Sequence, residues 1–207
     1  MSIEEYRKIA KEIDETIASI AEEFTNSINL FKNDIKFLRM RLLIAFSFAE
    51  VVCGIFDKYF DLKLGNKELM KKWFKEYCLI ETNDVYKNHA YFKKIDEEYL
   101  YQLRCSIIHA FALPEQKGKL AVMFPNGAET ADNMKKIDAG FTKEGFIPVF
   151  ISPDSLTQIF IKGFIGLHKN IFVSEDALTK ENYEGMERVH KEFFRRGAKP
   201  VPLTKNI

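Results

Sequence analysis

The sequence has few of the residues that mark disulfide-rich or strongly charged proteins. It contains one tryptophan and three cysteines among 207 residues, and its 31 Lys+Arg nearly balance its 30 Asp+Glu. The scattered Cys53, Cys78 and Cys105 favour buried reduced thiols in a cytosolic protein over one disulfide plus a reactive thiol. The near-zero net charge argues against a protein that coats nucleic acid generally, although a local basic patch is compatible with it.

Signatures of metal, hydrolase and nucleotide sites are missing as well. There is no CxxC or HExxH pattern for a metal ion and no GxSxG elbow for a catalytic serine, and the GFIGLHK stretch lacks the pattern of a phosphate-binding loop. His89, His168 and His190 are widely separated, which favours surface or helix-end positions over a metal site. We therefore predict no metal ion and no cofactor.

Membrane and export signals are not visible either. The first residues, MSIEEYRKIAKEIDE, are charged and amphipathic and contain no signal-peptide core. The most apolar run, residues 42–56, is short for a bilayer and includes Glu50, so we interpret it as a buried central helix. These features predict a cytoplasmic protein with no membrane partner.

What the sequence does have is the composition of a folded globular chain. Hydrophobic residues make up 46% and charged residues 29%, and the length suits one domain spanning residues 1–207. The 19 phenylalanines indicate a large aromatic core or a substantial apolar contact surface.

Apolar residues spaced three and four apart predict helices in the first half of the chain. One helix is predicted over residues 3–28, a second, nearly apolar one over about 35–60, and a third over 67–80. Gly65 suits a left-handed turn after the second helix. Residues 81–94 are polar and predict a loop.

The second half of the chain predicts a short β excursion followed by more helices. Residues 118–124 and 146–151 are β-forming runs separated by turn-rich sequence, which predicts an antiparallel hairpin within an insert of about 115–151. The C-terminal helices are predicted over 152–196, the first starting at Ser152-Pro153. The predicted fold class is therefore mainly α, a helical bundle with a small inserted antiparallel β hairpin.

Residues 99–114, YLYQLRCSIIHAFALP, predict one apolar helix that carries Arg104 and His109. Asp96 is in position to cap this helix, and Pro114 forbids its continuation. His109 would lie in the last turn, where the helix dipole favours an imidazolium. A histidine that moves protons and a guanidinium that binds non-bridging oxygens suit chemistry on a phosphodiester. Residues five apart lie about 140° around and about 7.5 Å along a helix, so a shared role requires a second surface.

The motif Arg104-Cys-Ser-Ile-Ile-His109 resembles the Arg-x(4–6)-His motif of the HEPN superfamily. The resemblance covers the motif and the helical arrangement of about residues 1–113, and it implies one HEPN-like helical domain. It further implies a homodimer in which two copies of the motif face each other. The implied activity is metal-independent RNA cleavage through the neighbouring 2′-hydroxyl, as in toxin and defence proteins, with Arg104 and His109 as the catalytic pair. The implied partners are RNA, a second copy of the chain, and an antitoxin or regulatory protein.

Two positions depart from the family pattern. Cys105 follows the arginine where family nucleases usually have Asn, Asp or His, and Phe111 stands where some family toxins carry a tyrosine that is modified. The alternative hypothesis is a catalytically inactive helical module that binds RNA, a nucleotide or a protein partner. The phenylalanine content and Cys105 favour that alternative.

Three further features allow more than one interpretation. Glu50 is an ion-pair partner for Arg104, a dimer contact, or a residue at the helix edge, because a buried carboxylate without a partner is too costly. Two basic stripes at helical spacing are either phosphate contacts or solvated helix faces, and their interleaved acidic residues favour the second interpretation. The stripes consist of Lys32, Lys36 and Arg39, and of Arg188, Lys191 and Arg195.

Overall fold

The computed structural model describes residues 2–30, 37–110, 120–123, 131–145, 147–173 and 177–193. The elements in chain order are α1 (Ile3–Leu30), α2 (Leu38–Phe60), α3 (Asn66–Trp73), α4 (Asp84–Asn88), α5 (Glu97–Ala110), β1 (Leu120–Met123), α6 (Ala131–Lys143), β2 (Ile147–Phe150), α7 (Pro153–Ile171) and α8 (Lys180–Phe193). The prediction of a mainly helical chain is confirmed. Over the ranges described, the structure contains no helix with the length and apolar character needed to cross a membrane.

Helix α2 is the central element of the molecule. It contacts α1, α3, α5, α7 and α8, and its residues Leu42, Phe46 and Ala49 are fully buried. A helix that is apolar nearly all round requires neighbours on every side, because burial stabilises by about 25 cal/mol per Å² of apolar surface. The predicted central helix within residues 42–56 is thus confirmed.

An aromatic cluster joins α2 and α7 to the chain at the end of α3. The ring of Phe160 lies 5.4 Å from that of Phe46, 5.7 Å from Trp73 and 5.5 Å from Phe74. All four side chains are fully buried. Edge and offset contacts of this kind add to the energy of area burial, so an aromatic core accounts for part of the phenylalanine content.

The three cysteines are free thiols. Cys53 and Cys78 are buried and Cys105 is half-buried. Burial raises the pKa of the Cys53 and Cys78 thiols, so both stay protonated at neutral pH. The prediction of unpaired thiols is confirmed, although Cys105 is less buried than expected.

Two histidine–carboxylate contacts hold α1 against the C-terminal helices. His168 Nε2 lies 2.6 Å from Asp14 Oδ1, and His190 Nε2 lies 3.3 Å from Glu12 Oε2. Both histidines are in the last turn of their helices, and His89 follows directly after α4. The prediction of helix-end positions is confirmed for all three.

The connection after α2 differs from the prediction at Gly65. The left-handed residues are Asp61 and Lys63, with φ of 52° and 54°, whereas Gly65 is extended and precedes α3. Helix α2 ends at Phe60, and Asp61, its C-cap, adopts the left-handed conformation, which aspartate tolerates better than most residues.

The predicted third helix and the loop after it are both more complex than the sequence pattern indicated. Helix α3 continues as a π-helical turn over Phe74–Cys78, so the prediction over 67–80 covers two kinds of helix. The loop prediction over 81–94 is wrong in part, because this stretch contains α4 and a 3-10 turn over Phe92–Lys94.

The predicted antiparallel hairpin is wrong. Strands β1 and β2 pair in parallel, with Leu120 opposite Ile147 and Met123 opposite Phe150. Parallel strands cannot be joined by a tight turn and need a crossover of a dozen or more residues. Helix α6 lies between the two strands in the chain, so the excursion is a β-α-β unit.

Helix α8 packs closely against the C-terminal end of α2. Arg188 donates from Nε to the Lys58 carbonyl at 3.0 Å and from Nη2 to the Tyr59 carbonyl at 2.6 Å. These carbonyls belong to the last turn of α2, so no following N–H of the helix can donate to them. A Cβ on Gly185 would lie 2.8 Å from the carbonyl oxygen of Tyr59 and 3.0 Å from the Tyr59 ring. The close approach of α8 to α2 therefore requires glycine at this position.

We expect Gly185→Ala to lower the free energy of unfolding by about 1–3 kcal/mol, because α8 must move away from the end of α2. The measurement is urea denaturation followed by circular dichroism. Gly140→Ala on α6 is the matched control, since a Cβ there meets nothing within 4 Å, and it should gain about 0.5–1 kcal/mol from helix propensity. Equal effects of the two substitutions would contradict the close packing.

Candidate functional site

Helix α5 positions the predicted catalytic pair. The Asp96 carboxylate accepts a hydrogen bond from the Tyr99 N–H at 2.8 Å, which confirms it as the N-cap. Glu97 and Glu98 occupy the first turn, where acidic side chains favour the helix dipole. Helix α5 is described as far as Ala110, and the predicted continuation to Pro114 falls outside the described residues.

Arg104 is buried and forms an ion pair with Glu50. Its guanidinium Nε donates to Glu50 Oε1 at 2.7 Å, and its Nη2 contacts the same oxygen. Arg104 is only 7% exposed, while the Glu50 side chain is about a third exposed. Of the three interpretations of Glu50, the ion pair with Arg104 is confirmed.

The ion pair sets the charge state and the orientation of the guanidinium. Burial alone would lower the pKa of Arg104, but its hydrogen bonds to Glu50 outweigh this and raise that pKa. The other terminal nitrogen of the guanidinium, Nη1, lies 3.9 Å from Cys105 Sγ. The guanidinium carbon also lies 6.0 Å from the centre of the Tyr101 ring, within reach of a cation–π interaction.

The outer face of α5 carries polar side chains next to Arg104. Glu98, Tyr101, Gln102 and Cys105 are spaced three and four apart and are all half-buried. Gln102 Nε2 donates to Glu98 Oε1 at 2.9 Å, and burial raises the pKa of Tyr101.

Two lysines of α3 complete this face. Lys67 and Lys71 lie 3.2 Å and 3.1 Å from the carboxylate oxygens of Glu98. The hydrogen bonds from Gln102, Lys71 and Lys67 lower the pKa of Glu98 to about 2. Lys67 also lies 5.8 Å from the centre of the Tyr101 ring. We call Lys67, Lys71, Glu98, Tyr101 and Gln102 the α3–α5 face.

The sequence pattern did not reveal the α3–α5 face. Lys67 and Lys71 are four apart, and Glu98, Tyr101 and Gln102 follow helical spacing. The sequence pattern therefore indicates that each group lies on one face of its own helix. Their contact depends on the packing of α3 against α5, which local spacing does not encode.

The other predicted site residues have separate positions. His109 belongs to α5, five residues after Arg104, and its side chain is outside the described part of the structure. Arg188 caps α2, and Lys191 lies 2.5 Å from Glu187 on its own helix. Arg39 is exposed, and Lys32, Lys36 and Arg195 lie outside the described residues. The contact of Lys191 agrees with a solvated helix face, whereas Arg188 is a structural cap of α2, a role that neither interpretation included.

Among the described residues, no three His, Cys, Asp or Glu side chains converge as metal ligands would. Comparison of the chain with protein families, curated proteins and solved structures gives no match.

We expect Glu50→Ala to lower the free energy of unfolding by about 2–3 kcal/mol, because it leaves the buried Arg104 guanidinium without its carboxylate. Replacing both partners, Glu50→Leu with Arg104→Met, should restore most of this stability. Chemical denaturation of the single and double variants measures the coupling.

The control is Glu184→Ala, which removes an exposed pair with Lys180 at 3.5 Å on α8 and should cost about 0.2–1 kcal/mol. If Glu50→Ala costs no more than Glu184→Ala, the buried pair does not stabilise the fold.

Proposed function

We propose that this protein is a HEPN-like, metal-independent endoribonuclease whose active site forms where two copies of α5 meet. Arg104 and His109 are its catalytic residues. The observation that carries the proposal is the arginine held by Glu50 on the helix that also bears His109. Support also comes from the motif resemblance and from the adjacent α3–α5 face, which offers lysines and an aromatic ring next to the guanidinium.

The proposed reaction is attack of an RNA 2′-oxygen on the adjacent phosphorus. His109 of one copy accepts the proton of the 2′-hydroxyl, and His109 of the other copy donates a proton to the 5′-oxygen as its bond to phosphorus breaks. The products are a 2′,3′-cyclic phosphate and a free 5′-hydroxyl. Arg104 stabilises the charge that builds up on the non-bridging oxygens.

Two copies are needed for geometric reasons. On an ideal helix, residues five apart leave the axis about 140° apart, so the proposal assigns the two roles at one phosphate to different copies. A second α5 running across the first brings a guanidinium and an imidazole to the same phosphate. The half-buried Tyr101, Gln102 and Cys105 then belong to the interface or its edge.

A second candidate function is a helical binding module without catalysis. The specific observation in its favour is that Arg104 is 7% exposed and already donates through Nε and Nη2 to Glu50. In this alternative the ion pair is a structural connection between α2 and α5, and RNA or another partner binds the surface without being cut.

The deciding experiment is RNA cleavage in the presence of EDTA. We expect the wild-type protein to release 2′,3′-cyclic phosphate ends, and a substrate with 2′-deoxy sugars to remain intact. Arg104→Ala and His109→Ala should each reduce the rate by about 100-fold or more. Arg7→Ala and His168→Ala are controls of the same residue types, away from α5, and should change the rate by less than about twofold.

Circular dichroism of each variant separates loss of catalysis from loss of folding. Cleavage that persists in Arg104→Ala and His109→Ala would exclude this active site. RNA binding without cleavage by the wild type would favour the binding module. Specific activity that stays constant on dilution, down to concentrations at which sedimentation finds only monomer, would exclude a shared site.

A further inference from the structure

An open cleft lies between α7 and the chain that follows the π-helical turn. Its volume is about 410 Å³, within the range of about 300–1,000 Å³ that small-molecule sites occupy. The lining residues are Tyr77, Ile80, Thr82, Asn83, Asp84, Lys162, Ile165, Gly166 and Lys169. This cleft contains none of the residues assigned to the ribonuclease site.

One wall of the cleft is held rigidly by Asn83. This side chain is 4% exposed, and its Oδ1 accepts from the N–H groups of Val85 and Tyr86. Its Nδ2 donates to the carbonyls of Tyr77 and Ile159, at 3.4 Å and 3.1 Å. Asn83 therefore ties the turn to α7, and the cleft is a pre-formed feature of the fold rather than a gap between loose loops.

The hydroxyl of Tyr77 is a hydrogen-bond donor in the wall of this cleft. Tyr77 is 8% exposed, and its oxygen accepts from Asn170 Nδ2 at 3.1 Å. No described residue accepts the Tyr77 proton in return. Burial raises the pKa of this hydroxyl, so it keeps the proton and remains a hydrogen-bond donor.

Two lysines of α7 add positive charge to the same cleft. Lys162 Nζ lies 3.3 Å from Asp84 Oδ2, whereas no carboxylate among the described residues pairs with Lys169. The two lysines are seven residues apart, about 10.5 Å along one face of the helix. The cleft thus combines two ammonium groups and a phenol donor with one carboxylate, which favours an anionic ligand.

The rest of the lining leaves room for an apolar group. Ile165 is 41% exposed, and Ile80 is half-buried on the facing turn. Gly166 lies between Lys162 and Lys169 and contributes no side chain. A Cβ there would lie 3.4 Å from Tyr77 Cδ1, so alanine would fit the fold while filling part of the cleft.

We propose that this cleft is a binding site for a small organic phosphate. The phosphate oxygens accept from the Lys169 ammonium group and the Tyr77 hydroxyl, and the apolar part of the ligand packs on Ile165 and Ile80. A tetrahedral phosphate offers several acceptor oxygens to donors that approach from different sides, which suits this arrangement. The shared chemistry is that of a nucleotide, either free or at the 5′-phosphorylated end of a nucleic-acid strand.

Calorimetric titration tests the proposal with adenosine monophosphate as the probe. We expect saturable binding of adenosine monophosphate. Adenosine and inorganic phosphate should each bind at least about tenfold more weakly, because adenosine lacks the phosphate contacts and inorganic phosphate lacks the apolar contacts. A 5′-phosphorylated trinucleotide distinguishes the two sources. Tighter binding of the trinucleotide would identify a strand end, and equal or weaker binding a free nucleotide.

Three variants locate the site. Lys169→Gln should weaken binding of the probe by about fivefold, and Tyr77→Phe should weaken it by a similar factor. Gly166→Ala should weaken binding without lowering the melting temperature, since it fills the cleft and favours the helix. Lys135→Gln, an exposed lysine on α6, makes the same charge change and should leave binding unaltered.

The proposal is wrong if the probe shows no saturable binding up to about 10 mM. It is also wrong if Lys169→Gln and Gly166→Ala bind as tightly as Lys135→Gln. Neither result depends on RNA cleavage, so failure of this proposal and failure of the ribonuclease proposal can be distinguished.

Discussion

The enclosure of α2 is the constraint on which the rest of the structure depends. A helix with apolar residues on nearly every side is stable only if other helices cover it, and five of them do. The charged side chains of α2 that lie between these helices need partners inside the molecule, because an isolated buried charge is very costly. Arg41 meets Asp154 in the first turn of α7, and Glu50 meets Arg104 of α5.

This arrangement connects the candidate site to the core. The guanidinium of Arg104 is placed by a carboxylate that α2 carries, and α2 is held by the aromatic cluster around Phe160. A side chain positioned by the core loses less conformational entropy on binding a ligand than one on a flexible loop. The same connection means that substitutions at Glu50 change both the stability of the fold and the orientation of Arg104, so the two effects have to be measured separately.

Local signals in the sequence predicted the local features of the fold. The starts of α5 and α7 follow from Asp96 and from Ser152-Pro153, because a cap is a contact within four residues. The hairpin prediction is wrong because the turn-rich residues between the two strands obscure the helical spacing of Met134, Ile137 and Phe141. These residues are three and four apart and indicate the helix that parallel pairing requires.

The contacts that define the two candidate sites are long-range. The sequence allows three roles for Glu50, of which an ion pair with Arg104 is one, and the choice among them depends on how α2 and α5 pack. The cleft beside α7 was not predicted at all. Tyr77 and Lys169 are 92 residues apart, and nothing in the spacing of either residue indicates that they face the same space.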